Sequence, residues 1–164
     1  MKKMILTTLA LSITLFAANN SNAMSGKALY KQECTACHMG FQTEFLPKRS
    51  WNKMMNTLED HFGVDATFDK ADEKTVKEYF ASNSSNSKRN YGEMAEFARS
   101  IRSSETPLAI TEIPKFKREH RRIPKRMIVQ KEVKSLSNCM ACHSDAQKGS
   151  YRERNILIPN YGIW

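Results

Sequence analysis

Four cysteines and four histidines carry the chemistry open to this 164-residue sequence. The cysteines form two Cys-x-x-Cys pairs, and each pair runs directly into a histidine: Cys34-Thr35-Ala36-Cys37-His38 and Cys139-Met140-Ala141-Cys142-His143. Two thiols separated by two residues can add to the vinyl groups on neighbouring edges of one porphyrin, and the residue that follows then faces the iron. Its imidazole becomes an axial ligand, so Cys-x-x-Cys-His reads as a site for covalent attachment of haem c. Two such sites imply two haems. The alternatives fit less well. Zinc sites built from two such pairs usually separate them by about 15–20 residues, whereas 101 residues lie between Cys37 and Cys139. A thioredoxin-like dithiol sits in a βαβ setting and needs no second copy. Disulfides, the usual fate of cysteines in an exported chain, leave the two histidines unexplained.

The other two histidines, His61 and His120, are candidate sixth ligands. His61 follows His38 by 23 residues, and His120 precedes His143 by the same 23. The stretch Ser50 to Gly63 reads as a helix with Ser50 as N-cap and Gly63 just past its end. Trp51, Met54, Met55, Leu58 and Phe62 share one face of it, and His61 in the last turn points towards that apolar side. Without a haem, a histidine there would interact with the helix dipole or a terminal carbonyl. His120 lies in the run Lys115 to Arg126, which holds seven basic residues and one acid. An exposed histidine in a solvated segment is the plainer reading there. Yet the 21 residues after His143 include neither His nor Met, so a conventional sixth ligand for the second haem must come from upstream. His120 is the nearest histidine, and Met127 is the nearest competing methionine outside the motif. Met94 is the rival at the first haem, but Tyr91, Met94, Ala98 and Ile101 form an apolar helical stripe that gives Met94 a packing role. The expectation is therefore His38 with His61 and His120 with His143. Bis-histidine haems lack the methionine thioether that raises potential, so both should be low-potential, low-spin and closed to oxygen and peroxide.

Around these residues the chain reads as mostly α and divides into a small two-domain layout. Residues 1–23 have the form of a signal peptide: Lys2 and Lys3, an apolar stretch from Ile5 to Ala17, and Ser21-Asn22-Ala23 before an expected mature start at Met24. Export to the periplasm follows from that reading. Removing the segment leaves 24 basic and 17 acidic residues, a net +7, which four haem propionates would partly offset. Helices are predicted near 25–35, 50–62, 70–81 and 91–102, with no convincing strand alternation. Ser82 to Ser87 is a short polar loop, and Ser103 to Pro107 opens a proline-punctuated connection. The expected domains are 24–102 for the first haem and 103–164 for the second. Gly26-Lys27-Ala28-Leu29-Tyr30 running into the first motif is similar to the N-terminal helix of a single-haem cytochrome c. The second site closes its segment instead, so the C-terminal half is expected to be less regular and wrapped on its porphyrin.

Longer strings carry a resemblance over nearly the whole mature chain. They are Cys34 to His38; Phe45-Leu46-Pro47-Lys48-Arg49-Ser50-Trp51 leading to Asp60-His61-Phe62-Gly63; and Ile110-Thr111-Glu112-Ile113-Pro114 leading to Arg118-Glu119-His120. Asn138 to His143 and Gly149-Ser150-Tyr151-Arg152-Glu153-Arg154-Asn155-Ile156 complete the set. In these the sequence resembles the dihaem cytochrome c family found beside the sphaeroides haem protein, an oxygen-binding monohaem cytochrome. The resemblance implies a periplasmic electron carrier with six-coordinate haems, passing electrons to the sphaeroides-type haem protein and receiving them from a membrane cytochrome. It matches His38 and His143 to proximal ligands and His61 and His120 to distal ones, with each distal histidine expected to serve its own half. A rival enzyme reading, a small dihaem peroxidase or reductase, requires one labile sixth ligand. A sensor reading finds no signalling or membrane segment. The basic run Lys115 to Arg126 suits either an acidic redox partner or the haem propionates.

Overall fold

The computed structural model describes residues 24–87 and 90–163; the expected signal segment, 1–23, lies outside the described residues. The described chain is mostly helical. Helix α1 (Gly26–Cys34) starts at Ser25, whose hydroxyl caps the Ala28 amide at 3.2 Å. It lies against α3 (Lys70–Asn83), and Gly26 makes that closeness possible: a Cβ there would meet Tyr79 Cβ at 2.5 Å and the Thr75 carbonyl at 2.9 Å. The N-terminus of α3 is capped by the Asp69 carboxylate, which accepts from the amides of Ala71 and Asp72. Asp69→Ala is expected to lower stability by about 1 kcal/mol, read from denaturant unfolding of the haem-loaded protein.

Helix α2 (Lys48–Met55) departs at both ends from the expected 50–62. Pro47 supplies the first carbonyl acceptor, to Ser50 and Trp51, so Ser50 is a fully buried helical residue instead of an N-cap. At the other end the Thr57 hydroxyl donates to the carbonyls of Lys53 and Met54 and ends the helix early. A 3-10 turn, Leu58–Asp60, follows. Trp51, Met55 and Leu58 are buried as the periodicity predicts, but Phe62 is 62% exposed in a left-handed conformation (φ 56°) and leaves the apolar face.

Helix α4 (Gly92–Arg99) is shorter than predicted and turned. Ala95, Phe97 and Ile101 are buried and Met94 packs partly buried on the core, while Tyr91 is exposed. One apolar cluster joins Leu29, Trp51, Phe80 and Phe97 to Ile110, Ile113 and Phe116 and passes residue 103 without a break. At its centre Trp51 stacks on Phe80 with ring centres 4.3 Å apart and donates its indole N–H to the Thr43 carbonyl.

Beyond residue 103 regular structure thins. Helix α5 (Pro114–His120) has proline in its first turn, and α6 (Lys125–Ile128) is a single turn. Short 3-10 turns hold Cys139–Ala141, Ala146–Lys148 and Glu153–Asn155. The antiparallel pair β1 (Leu157–Ile158) and β2 (Gly162–Ile163) closes the described chain. Among the described residues no helix is long and apolar enough to cross a membrane.

Candidate haem-binding sites

At the first site, Cys34 ends α1, and Cys37 and His38 follow on an exposed turn. The His38 Nδ1 is 2.7 Å from the Met39 carbonyl. A carbonyl can only accept, so Nδ1 carries the hydrogen and Nε2 keeps its lone pair for a metal. His61 is carried by a loop instead of the last turn of a helix. Mutual backbone bonds between His61 and Val64 close that loop, with Gly63 at φ 87°. The rings of His38 and His61 face each other with centres 6.2 Å apart.

The second site repeats the pattern. Cys139 opens a 3-10 turn, Cys139–Ala141, that Cys142 caps and His143 follows, and the Leu157 amide and Ile156 backbone pair with Cys142 and His143 to fix it to the C-terminal strand. His120 ends α5. Its Nδ1 donates to the Phe116 carbonyl at 2.9 Å, and its ring stacks on the Phe116 ring with centres 3.9 Å apart. That leaves Nε2 of His120 with a lone pair that could bind a metal. The rings of His120 and His143 are 6.2 Å apart. Met127 is buried and lies outside the wall of this site.

The two equal separations carry chemical information. A metal–imidazole bond is about 2.0–2.1 Å and an imidazole nitrogen stands roughly 1.1 Å from its ring centre, so two imidazoles on opposite sides of one ion have centres about 6.3 Å apart. Each ring can turn about the shared axis, so interplanar angles of 31° and 61° are both compatible with such a pair. Among the described residues no cluster of three or more His, Cys, Asp or Glu is placed to hold a bare metal ion. Two opposed imidazoles suit an iron whose other four positions are filled by a porphyrin.

The space around the second pair fits that group as well. A cavity of about 670 Å³ is walled by Phe45, Phe97, Ile110, Tyr151 and Ile158, with Cys139, Cys142 and both imidazoles among its lining. Lys115, Arg118, Arg121 and Arg122 line it too, the right charge to meet propionates. The Nδ1 of His143 is buried and has no partner within the protein. Burial, reinforced by the facing imidazole, holds the pKa of His61 and of His143 below the ordinary value and favours the neutral, metal-binding form.

All four cysteines are unbridged. Burial pushes the Cys34 and Cys139 thiols up to about 11, the opposite of the lowered value a redox dithiol uses. Sequence reasoning missed Phe41, Gln42 and Phe116. Phe116 precedes His120 by one helical turn, a spacing that brings two rings together on a helix surface.

The sequence profile of the dihaem cytochrome c family matches residues 30–151. Among solved structures, the chain is 30% identical to a dihaem c-type cytochrome from Shewanella baltica, with TM-score 0.68, covering 86% of this chain and 99% of that one. It is 38% identical to a dihaem cytochrome c from Rhodobacter sphaeroides, with TM-score 0.66, covering 76% of this chain and 95% of that one. No curated protein sequence matches.

Proposed function

As the chain belongs to the dihaem cytochrome c family and carries two haem c groups, we propose that it relays single electrons between redox partners in the periplasm, from a membrane cytochrome to a sphaeroides-type oxygen-binding haem protein. Family membership supports electron transfer; the observation that supports closed, relay-type centres is the equal 6.2 Å separation of the two imidazole pairs. Each haem, when bound, supplies a one-electron ferric/ferrous couple.

The protein's own contribution is attachment, ligation and charge. Cys34, Cys37, Cys139 and Cys142 tether the porphyrins. His38 with His61, and His120 with His143, would each hold one iron and would leave it no position for substrate. The Met39 and Phe116 carbonyls orient two of the four imidazoles. The ferric protein is expected to take up two electrons per chain, and the ferrous protein to leave carbon monoxide unbound. Uptake of one electron, or rapid carbon monoxide binding by the unmodified protein, would contradict this reading.

One observation favours a second reading, a small peroxidase or reductase with a labile sixth ligand. His61 sits on a four-residue loop, whereas His120 is braced by Phe116. Peroxide-dependent turnover by the unmodified protein would favour it.

The basic run splits between two tasks. Lys115, Arg118, Arg121 and Arg122 line the second cavity, and Lys115 is also paired with Glu96 at 2.9 Å and Glu119 at 3.4 Å. Lys117, Lys125 and Arg126 are exposed and outside that wall. They are the cations available to an acidic partner. Reduction of an acidic redox protein, followed by stopped flow, is expected to slow as salt rises, and the double variant Lys125→Glu, Arg126→Glu to flatten that dependence. A rate indifferent to salt counts against electrostatic docking.

A further inference from the structure

A continuous series of side chains runs from the first site to the second. The Phe41 ring lies 5.3 Å, centre to centre, from the ring of His38, and the same residue lines the second cavity. Its carbonyl is held by the Tyr30 hydroxyl at 2.7 Å. The next residue, Gln42, reaches across the molecule with both ends of its amide. Its Nε2 donates to the Ala146 carbonyl at 2.9 Å, and its Oε1 accepts from the Tyr151 hydroxyl at 2.6 Å. The Tyr151 ring then stands edge-on to His143, 5.5 Å away at 64°, and edge-on to Phe45 at 5.5 Å.

The hydrogen bonds admit one amide orientation. The Ala146 carbonyl can only accept, so Nε2 must face it, and Oε1 is left to receive the phenol. Gln42 is therefore satisfied at both ends by groups in the turn that follows His143. Both bonds are partly buried, and breaking either leaves a polar group short of a partner. Phe41 and Gln42 are adjacent, so any shift of the second site relative to Gln42 is passed to the ring beside His38.

We propose that Phe41, Gln42 and Tyr151 form a strut that fixes the proximal imidazoles His38 and His143 in one relative geometry, so that the two haems act as a coupled pair. The three are positioning residues, and the proposal rests on the two-haem reading above. The exchange it governs is self-contained: one iron goes from ferrous to ferric as the other goes from ferric to ferrous, with no proton or further reactant. The strut makes that exchange fast because electron transfer falls steeply with distance and orientation. It also makes the charge state of one centre felt at a fixed spacing by the other.

The test uses the haem-loaded protein and the variants Tyr151→Phe, Gln42→Leu, their double variant and Phe41→Leu. Tyr151→Phe keeps the ring on His143 and removes only the hydroxyl, so it is the mildest. Phe41→Leu leaves every hydrogen bond in place and removes only the bridging ring. Haem content and the ferric spin state come first. Anything other than two low-spin haems in the unmodified protein defeats the two-haem, bis-histidine reading and not the strut.

With that established, the rate of electron redistribution after flash photoreduction and the magnetic interaction between the ferric haems are measured. Redistribution is expected to slow several-fold in Tyr151→Phe, in Gln42→Leu and in Phe41→Leu, with haem content unchanged. The double variant should be no slower than Gln42→Leu alone, because Gln42→Leu already breaks the one bond that Tyr151→Phe removes. Rates and magnetic interaction equal to those of the unmodified protein in Tyr151→Phe and Phe41→Leu would overturn the strut. Additive losses in the double variant would overturn the shared bond between Gln42 and Tyr151.

Discussion

Replacing His120 with alanine is expected to turn one of the two ferric haems from low-spin to high-spin, leave the other unchanged, and let the ferrous protein bind one carbon monoxide per chain. The expectation comes from how His120 is held. Its Nδ1 bond to the Phe116 carbonyl directs Nε2 towards His143, and the stacked Phe116 ring removes its freedom to turn. Alanine deletes the ligand without replacing it, and among the described residues the cavity lining holds no histidine besides His120 and His143. The first pair, His38 with His61, is a separate constellation and should keep its spectrum. Phe116→Ala is the graded version: the ligand stays but loses its stacking, so carbon monoxide should compete slowly where the unmodified protein resists it. A His120→Ala protein that stays low-spin at both haems would mean that another side chain ligates the second iron. Met127 would be the first candidate, and a raised potential its signature.

The second large effect concerns folding. Cys139→Ser with Cys142→Ser removes covalent attachment at the second site, and residues 108–158 are expected to lose fixed structure when that haem is absent. Without the haem, the apolar side chains that line the cavity of about 670 Å³, Phe45, Phe97, Ile110 and Ile158 among them, lose their packing partner, so the chain would collapse or admit water there. The surrounding segments have little structure of their own: one seven-residue helix, one single turn, four 3-10 turns and two strands of two residues. Because Phe45 and Phe97 belong both to the cavity wall and to the main apolar cluster, the loss should reach the N-terminal half. A fall in midpoint of about 15 °C or more is expected by calorimetry. An unchanged midpoint in a variant shown to hold one haem would refute this dependence.

The same dependence explains which parts of the fold could be read from sequence. Helices α1 and α3 stand close to the predicted ranges because their ends carry local signals such as Ser25 and Asp69 and their apolar residues repeat with helical period. The end of α2 was not legible. The apolar rhythm of Trp51, Met55 and Leu58 runs on through the 3-10 turn, and only the Thr57 side-chain bonds reveal that the α-helix has stopped. His61 therefore reaches its place on a loop and not on a helix face. The phase of α4 is not legible for another reason. Its buried side is set by the partners it meets, Phe97 against Phe45 with ring centres 5.5 Å apart, and nothing in the local sequence announces them.

At the sites, the cysteines and proximal histidines were legible because the attachment chemistry dictates their spacing. His61 and His120 stand out only by counting the remaining histidines, and each lies opposite a motif histidine. What sequence could not supply were the contacts made by backbone, such as the Met39 and Phe116 carbonyls, and those between residues far apart in the chain. Gln42 and Tyr151 are 109 positions apart, and nothing near either of them marks the other as its partner.

The measurement that bears most directly on two closed, bis-histidine haems is a potentiometric titration followed by electron paramagnetic resonance of the ferric protein, which counts haems and reports their axial ligands together. The expected result is two low-spin ferric haems per chain, both at low potential, with no high-spin signal at rest. A high-spin ferric signal in the unmodified protein, or a near-infrared methionine-to-iron band, would contradict it.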